Sequence, residues 1–279
     1  MTSTSEDSLL NWRALFTNPR RFWFLLLFVA VAGGGSFLVA FRFGATDVPV
    51  YSFRVVAEYP HDPTAFTQGL WIDDQGFVYE STGKWGQSRI RKYELKSGKI
   101  VQERRLPDQY FGEGLTFFDG KFYQLTWRER KVFVYDAQFE LLDELENDGD
   151  GWGLTHDDTH LIMSDGSSKL RFMDPVTFQQ VRWVDVKQGA YHVKNLNELE
   201  KIGNKVYANR LHTDWIYDID PTTGQVNAIV DLTGLWPPAQ RPPEGVLNGI
   251  AYNPQTKRMI VTGKYCPKLF ELELFLKKQ

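Results

Sequence analysis

Three observations predict an all-β fold, a five-bladed β-propeller preceded by one N-terminal transmembrane helix. First, a tripeptide of the form X, small or acidic residue, Leu or Ile recurs five times, as Gln68-Gly69-Leu70, Glu113-Gly114-Leu115, Trp152-Gly153-Leu154, Asn197-Glu198-Leu199 and Asn248-Gly249-Ile250. The intervals are 45, 39, 45 and 51 residues, a spacing typical of propeller blades, and the 3.6-residue periodicity of helical repeats is missing. Second, each unit continues as short runs of alternating apolar and polar residues bounded by turn residues. Third, the 20 residues from Phe22 to Phe41 carry no charge, which is the length a helix needs to cross a bilayer.

Taken in order, residues 1–21 read as a cytoplasmic tail and 22–41 as a transmembrane signal anchor. Arg13, Arg20 and Arg21 precede the apolar run and only Arg42 closely follows, so the positive-inside bias places the following domain on the extracytoplasmic, periplasmic side. A cleaved signal peptide ending near Ala30-Val31-Ala32 is the rival reading, and the apolar run resuming at Phe37–Phe41 argues against it. Residues 42–50 read as a linker and 51–279 as the propeller, the expected catalytic domain. Within it, second strands are expected at 77–79, 121–125, 161–163, 205–208 and 258–261. Third strands follow at 90–93, 132–135, 170–173, 215–219 and 269–272, and fourth strands at 101–106, 141–145, 181–186 and 226–232. The fifth unit has no fourth strand, whereas Tyr51–Ala57 is a strand without a unit. Pairing the two closes the ring and removes the exposed edges of an open array.

The formal net charge of −3, with Lys and Arg scattered through the strands, excludes a nucleic-acid partner. Aromatic residues make up 15% of the chain, which suits sheets packed face to face. The single cysteine, Cys266, rules out an intrachain disulfide and leaves the redox compartment open. Among the histidines only His156 and His160 are close in sequence, in a polar turn, and no zinc motif stands out. Asp148-Gly149-Asp150-Gly151 lacks the glutamate that closes an EF-hand and reads as a turn between blades.

In a propeller the innermost strand of each blade starts at the rim of the central channel. Gln68, Glu113, Trp152, Asn197 and Asn248 should therefore converge on one patch, a mixture of amides, a carboxyl and an indole with no packing motive. The segments around them strongly resemble one family. Phe66-Thr67-Gln68-Gly69-Leu70, Glu80-Ser81-Thr82-Gly83, Phe111-Gly112-Glu113-Gly114-Leu115-Thr116, Gly151-Trp152-Gly153-Leu154-Thr155, Asn195-Leu196-Asn197-Glu198-Leu199, Leu247-Asn248-Gly249-Ile250-Ala251-Tyr252 and Val261-Thr262-Gly263-Lys264 are similar, in order, to the plant-type and bacterial glutaminyl-peptide cyclotransferases. The resemblance implies an aminoacyltransferase that converts an N-terminal glutaminyl residue of a peptide or protein to pyroglutamyl with release of ammonia. It implies no cofactor for catalysis and allows a structural cation such as calcium, held by backbone carbonyls in the channel. The partners expected are peptide or protein substrates with N-terminal Gln and, through the apolar run, a membrane; the chain is expected to be a monomer.

Chemistry gives a separate reason. Cyclisation moves one proton from the attacking α-amine to the departing nitrogen, and a single carboxyl group can do both in sequence. Glu113 is the only acid among the five rim positions, and apolar neighbours would raise its pKa towards the working pH. Trp127, 14 residues after Glu113 at a second-strand end, should return to the same face and, with Phe66, Phe111 and Trp152, enclose the glutaminyl side chain. Gln68, Asn197 and Asn248 are the amides available to bind substrate, and Lys264 could polarise an oxygen as charge develops. Two positions depart from the family pattern: Leu211 and Cys266 stand where relatives often have Trp, so the pocket wall is expected to be thinner there. A metal-dependent lactonase-like propeller with Glu113, Asn197 and Asn248 as ligands, and a non-catalytic peptide-binding propeller, are the alternatives.

Overall fold

The computed structural model describes residues 24–32, 35–43 and 48–277. The chain forms two units, Met1–Asp47 and Val48–Gln279. In the first, β1 (Phe24–Ala32) pairs antiparallel with β2 (Gly35–Phe43), from Phe24 opposite Phe43 to Ala32 opposite Gly35. Within 22–41, where a single helix is expected, the described residues form these two paired strands; residues 1–23, 33–34 and 44–47 lie outside the described residues. Both strands are rich in Phe and Val, which suit extended backbone. Among the described residues no helix is long and apolar enough to cross a membrane.

The second unit is all-β, apart from one 3-10 turn at Pro238–Gln240. After β3 (Val50–Pro60), three antiparallel four-stranded sheets follow in chain order. They are β4 (Thr67–Ile72) to β7, with β5 (Phe77–Thr82), β6 (Arg89–Glu94) and β7 (Ile100–Arg105); β8 (Gly112–Phe118) to β11, with β9 (Lys121–Thr126), β10 (Lys131–Tyr135) and β11 (Leu141–Glu146); and β12 (Leu154–His156) to β15, with β13 (Leu161–Met163), β14 (Lys169–Met173) and β15 (Gln180–Asp185). A small hairpin, β16 (Lys187–Gln188) and β17 (Tyr191–His192), precedes an eight-stranded sheet. That sheet joins β18 (Leu196–Ile202), β19 (Lys205–Arg210), β20 (Trp215–Ile219) and β21 (Val226–Asp231) to β3, β24 (Lys268–Leu276), β23 (Arg258–Gly263) and β22 (Leu247–Asn253), in that order. The junction, β21 with β3, is parallel and spans only Ile229 opposite Val50 and Val230 opposite Tyr51.

Five apolar clusters hold these groups face to face. Leu115, Phe122 and Phe133 pack with Tyr79 and Ile90; Leu154 and Leu161 with Leu125 and Val132; Leu196 and Tyr217 with Ile162 and Phe172; Leu247 and Phe270 with Ile216 and Val230; and Ala251 and Ile260 with Leu70 and Val78, returning to the first group. Fully burying such side chains contributes about 1.5–3 kcal/mol each. The first strands of the groups, β4, β8, β12, β18 and β22, contact one another in the same cyclic order. This packing explains the small residue of the tripeptide. A Cβ on Gly114 would stand 2.5 Å from Leu154 N, and one on Gly153 would stand 2.0 Å from the Asn197 carbonyl oxygen. Where the fourth tripeptide has Glu198, the side chain is fully buried, and its carboxyl accepts Leu70 N–H at 3.2 Å and Ile250 N–H at 2.7 Å. It thus ties β18 to both β4 and β22.

Candidate active site

The inner strands do not run straight at their starts. Register shifts fall between Thr67 and Gly69, Gly112 and Leu115, Leu196 and Leu199, and Leu247 and Ile250. Gln68, Glu113, Asn197 and Asn248 lie inside these irregularities, which release a residue from the ladder and re-aim its side chain. Trp152 lies two residues before the start of β12; its N–H donates to Ser164 O at 3.0 Å and its carbonyl accepts Gly114 N–H at 2.6 Å. A second set of positions is the first residue after four of the five second strands. Gly83, Trp127, Leu211 and Lys264 donate their N–H to the carbonyls of Phe66, Phe111, Asn195 and Val246 at 2.9, 3.0, 2.9 and 2.9 Å. Trp127 and Lys264 therefore return to the end of the inner strands where Glu113 and Asn248 start, and Leu211 is the structural counterpart of Trp127.

An aromatic wall connects these positions. Phe66 meets Phe111 edge to face at 6.0 Å, and Phe111 meets Trp127 at 5.5 Å. Tyr265 stands against Phe66 at 5.2 Å, and the exposed Trp85 covers Phe111 and Trp127 at 5.0 and 5.8 Å. Two ammonium groups approach the Phe66 ring, Lys84 at 4.1 Å and Lys264 at 4.5 Å from its centroid. Lys84 pairs with Glu244 at 2.9 Å, and its backbone lies at a φ of 90°, an unusual conformation for a residue with a side chain. Its carbonyl accepts the N–H of Gln87 and Ser88 and the Ser88 hydroxyl, whose oxygen in turn accepts Gly112 N–H, so this turn is fastened to the strand that carries Glu113.

Polar groups converge on the same end. Asn248 Nδ2 donates to Thr67 O at 3.0 Å and to Gln68 Oε1 at 3.3 Å. Glu113 is buried, and burial pushes its carboxyl well above the usual range. Glu129 and Asp150 add to that shift, while Lys264 and a hydrogen bond with Gln68 oppose it. Burial pushes the Lys264 ammonium below the usual lysine range; Glu113 and Glu244 hold it up and Lys84 presses it further down. Asn197 Oδ1 and Trp152 Nε1 are buried with no hydrogen-bond partner among the described residues. A buried acceptor and a buried donor in that state are equipped to receive groups from a ligand.

Several participants escape a reading of the sequence. Lys84 and Trp85 sit in a turn, Glu129 accepts both Trp85 Nε1–H at 2.8 Å and Phe111 N–H at 3.3 Å, and Tyr265 follows Lys264. The available signal was position alone: Lys84-Trp85 follows Glu80-Ser81-Thr82-Gly83 directly, as Tyr265 follows Val261-Thr262-Gly263-Lys264. Cys266 corrects the expectation of a thin wall at its position. It is fully buried in a core cluster with Leu235, Trp236 and Phe270, and the Trp236 indole lies 3.1 Å from where a Cβ on Gly263 would stand. Cys266 thus belongs to the core behind the Lys264 turn and has no place in the pocket wall.

Leu211 is half-buried at the place equivalent to Trp127, and Leu211→Trp is expected to raise kcat/KM for Gln-initiated peptides up to about tenfold, since aromatic contacts add roughly 0.5–1.5 kcal/mol beyond burial. Unchanged kinetics in a well-folded variant would show that the fourth group does not contribute a wall. Two open clefts of about 370 and 240 Å³ lie elsewhere, lined by residues such as Tyr207 and Arg258 and, at the far ends of the inner strands, Ile72, His156 and Lys201. Neither is lined by any of the residues named as catalytic or substrate-binding.

Known proteins share this chain's sequence pattern and fold. Residues 28–274 match the family described as glutamine cyclotransferase. The chain is 36% identical over 288 residues to the glutaminyl-peptide cyclotransferase of Arabidopsis thaliana, covering 98% of this chain and 89% of that one. The crystal structure of Myxococcus xanthus glutaminyl cyclase superposes with a TM-score of 0.77 at 37% identity, covering 83% of this chain and all of the other. On the match across nearly its whole length, the chain belongs to the glutamine cyclotransferase family.

Proposed function

We propose that the protein is a glutaminyl-peptide cyclotransferase whose Glu113 carries the proton. The observation that carries the reading is a buried carboxyl, raised by its surroundings, beside the Lys264 ammonium at the start of an inner strand. The free α-amine of an N-terminal glutaminyl residue attacks its own side-chain carbonyl carbon. Glu113, as carboxylate, takes a proton from the attacking nitrogen and then delivers it to the leaving nitrogen. The carbon–nitrogen bond breaks, ammonia departs, and the carboxylate is restored. A carboxyl made basic by burial suits the first transfer and remains acid enough for the second. Lys264 meets the negative charge that develops on the oxygen. Asn197 Oδ1 accepts from the substrate amine and Trp152 Nε1 donates to a substrate oxygen, while Gln68 and Asn248 fix the amide group. Phe66, Phe111, Trp127 and Trp152 surround the side chain and keep water from competing with ring closure.

Incubation of the chain with a Gln-initiated dipeptide, following ammonia, tests the reading; hydrolysis abolished by a chelator, with no ammonia, would favour a lactonase instead. Lys264 adds a pH signature. Its folded pKa is lowered, so the charge, and with it kcat, is lost as pH rises through a value below the usual lysine range. Lys264→Arg, which stays charged, should lack that alkaline limb in a pH–kcat profile at whatever rate it retains.

For the architecture we infer a propeller of five blades, the last completed by β3. The cyclic contacts of the five inner strands and the five inter-sheet clusters support it. A structural calcium ion in the channel would rest on the second lone pairs of backbone carbonyls. The carbonyls of Thr67, Trp152 and Asn197 each accept a protein hydrogen bond, and the Glu198 carboxyl uses both oxygens on backbone N–H groups. No step is routed through a cation. The uncharged run Phe22–Phe41 is read as a membrane anchor, with the catalytic unit on the extracytoplasmic side. An isolated two-stranded sheet would leave edge groups unsatisfied in lipid, so insertion requires the run to become helical. Retention of the full chain in alkaline-washed membranes, against release of a version starting at Val48, tests this.

A further inference from the structure

Glu80 opens the Glu80-Ser81-Thr82-Gly83 segment, takes no part in the reaction above, and is fully buried. Its Oε1 accepts the Thr67 hydroxyl at 2.7 Å and faces His61 Nε2 at 3.1 Å; its Oε2 accepts Arg91 Nε–H at 2.9 Å. Burial opposes its ionisation, but the Arg91 guanidinium and His61 hold the carboxyl far below the usual range, so it is a carboxylate. Arg91 also donates to Asp62 at 2.8 Å. The other nitrogen of His61, Nδ1, lies 2.5 Å from the Cys266 carbonyl oxygen. A carboxylate and a carbonyl can only accept, so the ring that satisfies both carries two protons. The charges then balance, His61 and Arg91 against Glu80 and Asp62.

The Cys266 carbonyl belongs to the turn that presents Lys264. Cys266 N–H donates to Gly263 O at 3.0 Å, Tyr265 N–H to Ala65 O at 2.7 Å, and His61 N–H to Pro267 O at 3.0 Å. Tyr265 occupies the left-handed region, at a φ of 63°. This short turn between β23 and β24 is thus held from one side by residues 61–65, and the His61 ring is the only side chain shown donating to its Cys266 carbonyl among the described residues. The Thr262 hydroxyl, 3.4 Å from Nδ1, gives its own proton to Lys268 O at 2.8 Å.

We propose that His61 is a positioning residue for cyclisation: as a buried imidazolium anchored on Glu80, it grips the Cys266 carbonyl and so aims Lys264 at the reacting oxygen. The inference rests on the reading of Lys264 as the group that meets the developing charge. Two amide substitutions separate the two contacts. The Asn side chain places its N–H₂ where Nδ1 stands and keeps the grip on Cys266, whereas the Gln side chain reaches the Nε2 position and keeps only the contact with Glu80. His61→Asn should retain kcat within about threefold, and His61→Gln should lose about 10- to 100-fold in kcat with KM little changed, the scale of a small misplacement at the chemistry. Stability should follow the opposite order, His61→Asn melting lower because the Glu80 charge loses a partner. A role confined to stabilising Glu80 predicts that His61→Gln is both the more stable and the more active, and that result overturns the proposal. In the Lys264→Gln background, His61→Gln should cause no further loss in kcat; independent, multiplying losses overturn it. If Lys264→Gln itself keeps wild-type kcat, the reading beneath falls and the proposal with it, whereas a crippled Lys264→Gln beside a fully active His61→Gln sinks the proposal alone. Nitrogen NMR of the unsubstituted protein needs no variant: a proton on Nδ1 of the His61 ring is expected, and a ring whose Nδ1 carries none refutes the grip on Cys266.

Discussion

Glu113→Gln is expected to lower kcat by about 10²–10⁴, the usual loss for a single general acid/base, while the fold persists. The amide keeps the volume of the carboxyl but cannot take the proton from the attacking amine. Stability should move the other way. Burial, assisted by Glu129 and Asp150, holds the Glu113 carboxyl well above its ordinary value of 4.5, against the pull of Lys264 and Gln68. A group whose folded pKa is raised stabilises the fold fully only below its unfolded value, and that contribution is lost as pH rises through the folded one. At neutral pH the acid is therefore a burden that the amide does not carry. Glu113→Gln should melt at or above the parent near neutrality, and the gap should close as pH falls below about 4.5. Kinetics and melting curves of the two proteins at neutral and acid pH decide the matter. Near wild-type kcat would remove Glu113 from the mechanism, and a lower Tm at neutral pH would contradict the electrostatic account.

The inner strands are legible in the sequence because the tripeptide carries two constraints at once. Gly114 and Gly153 are forced by the close approach of the next strand, and Leu70, Leu115, Leu154, Leu199 and Ile250 are forced by the clusters between sheets. The second, third and fourth strands are legible from alternation and from the turn residues that bound each run. Spacing alone also returns Trp127 and Lys264 to the site, since each is the first residue past a second strand. What spacing cannot show is the reach of side chains from turns. Lys84, Trp85 and Glu129 line the same wall, yet nothing in their local pattern distinguishes them from solvated turn residues. Glu198 illustrates the same gap from inside: its place in a run of glycines reads as an exception, and only the positions of Leu70 and Ile250 N–H show why a carboxyl is held there. Cys266 escapes placement by sequence because one step past Tyr265, at a turn, decides whether a side chain faces pocket or core. For the apolar run at 22–41, hydropathy reports length and charge and does not distinguish one helix from the paired strands Phe24–Ala32 and Gly35–Phe43.

Removing Val50–Tyr59 is expected to prevent the Val48–Gln279 unit from folding. β3 pairs with β24 from Leu276 opposite Tyr51 to Lys268 opposite Pro60 and also joins β21, so it lies inside the eight-stranded sheet with neighbours on both sides. Without it β24 becomes a bare edge and the link to β21 disappears. Tyr51, Phe53 and Val55 pack on the cluster containing Val230, Met259 and Leu272, and Tyr59 packs beside Leu70 and Leu269 while its hydroxyl donates to Glu271 at 2.6 Å. Partly buried side chains of this size contribute about 1–2 kcal/mol each. Their loss, with that of the backbone ladder, is comparable to the roughly 5–15 kcal/mol that holds a whole domain together. The deletion should therefore give a chain with no cooperative melt, whereas a chain beginning at Val48 should melt like the full-length protein. A deletion variant that unfolds cooperatively at the parental temperature would show that the ring closes without β3, and that the long pairing with β24 is incidental to stability.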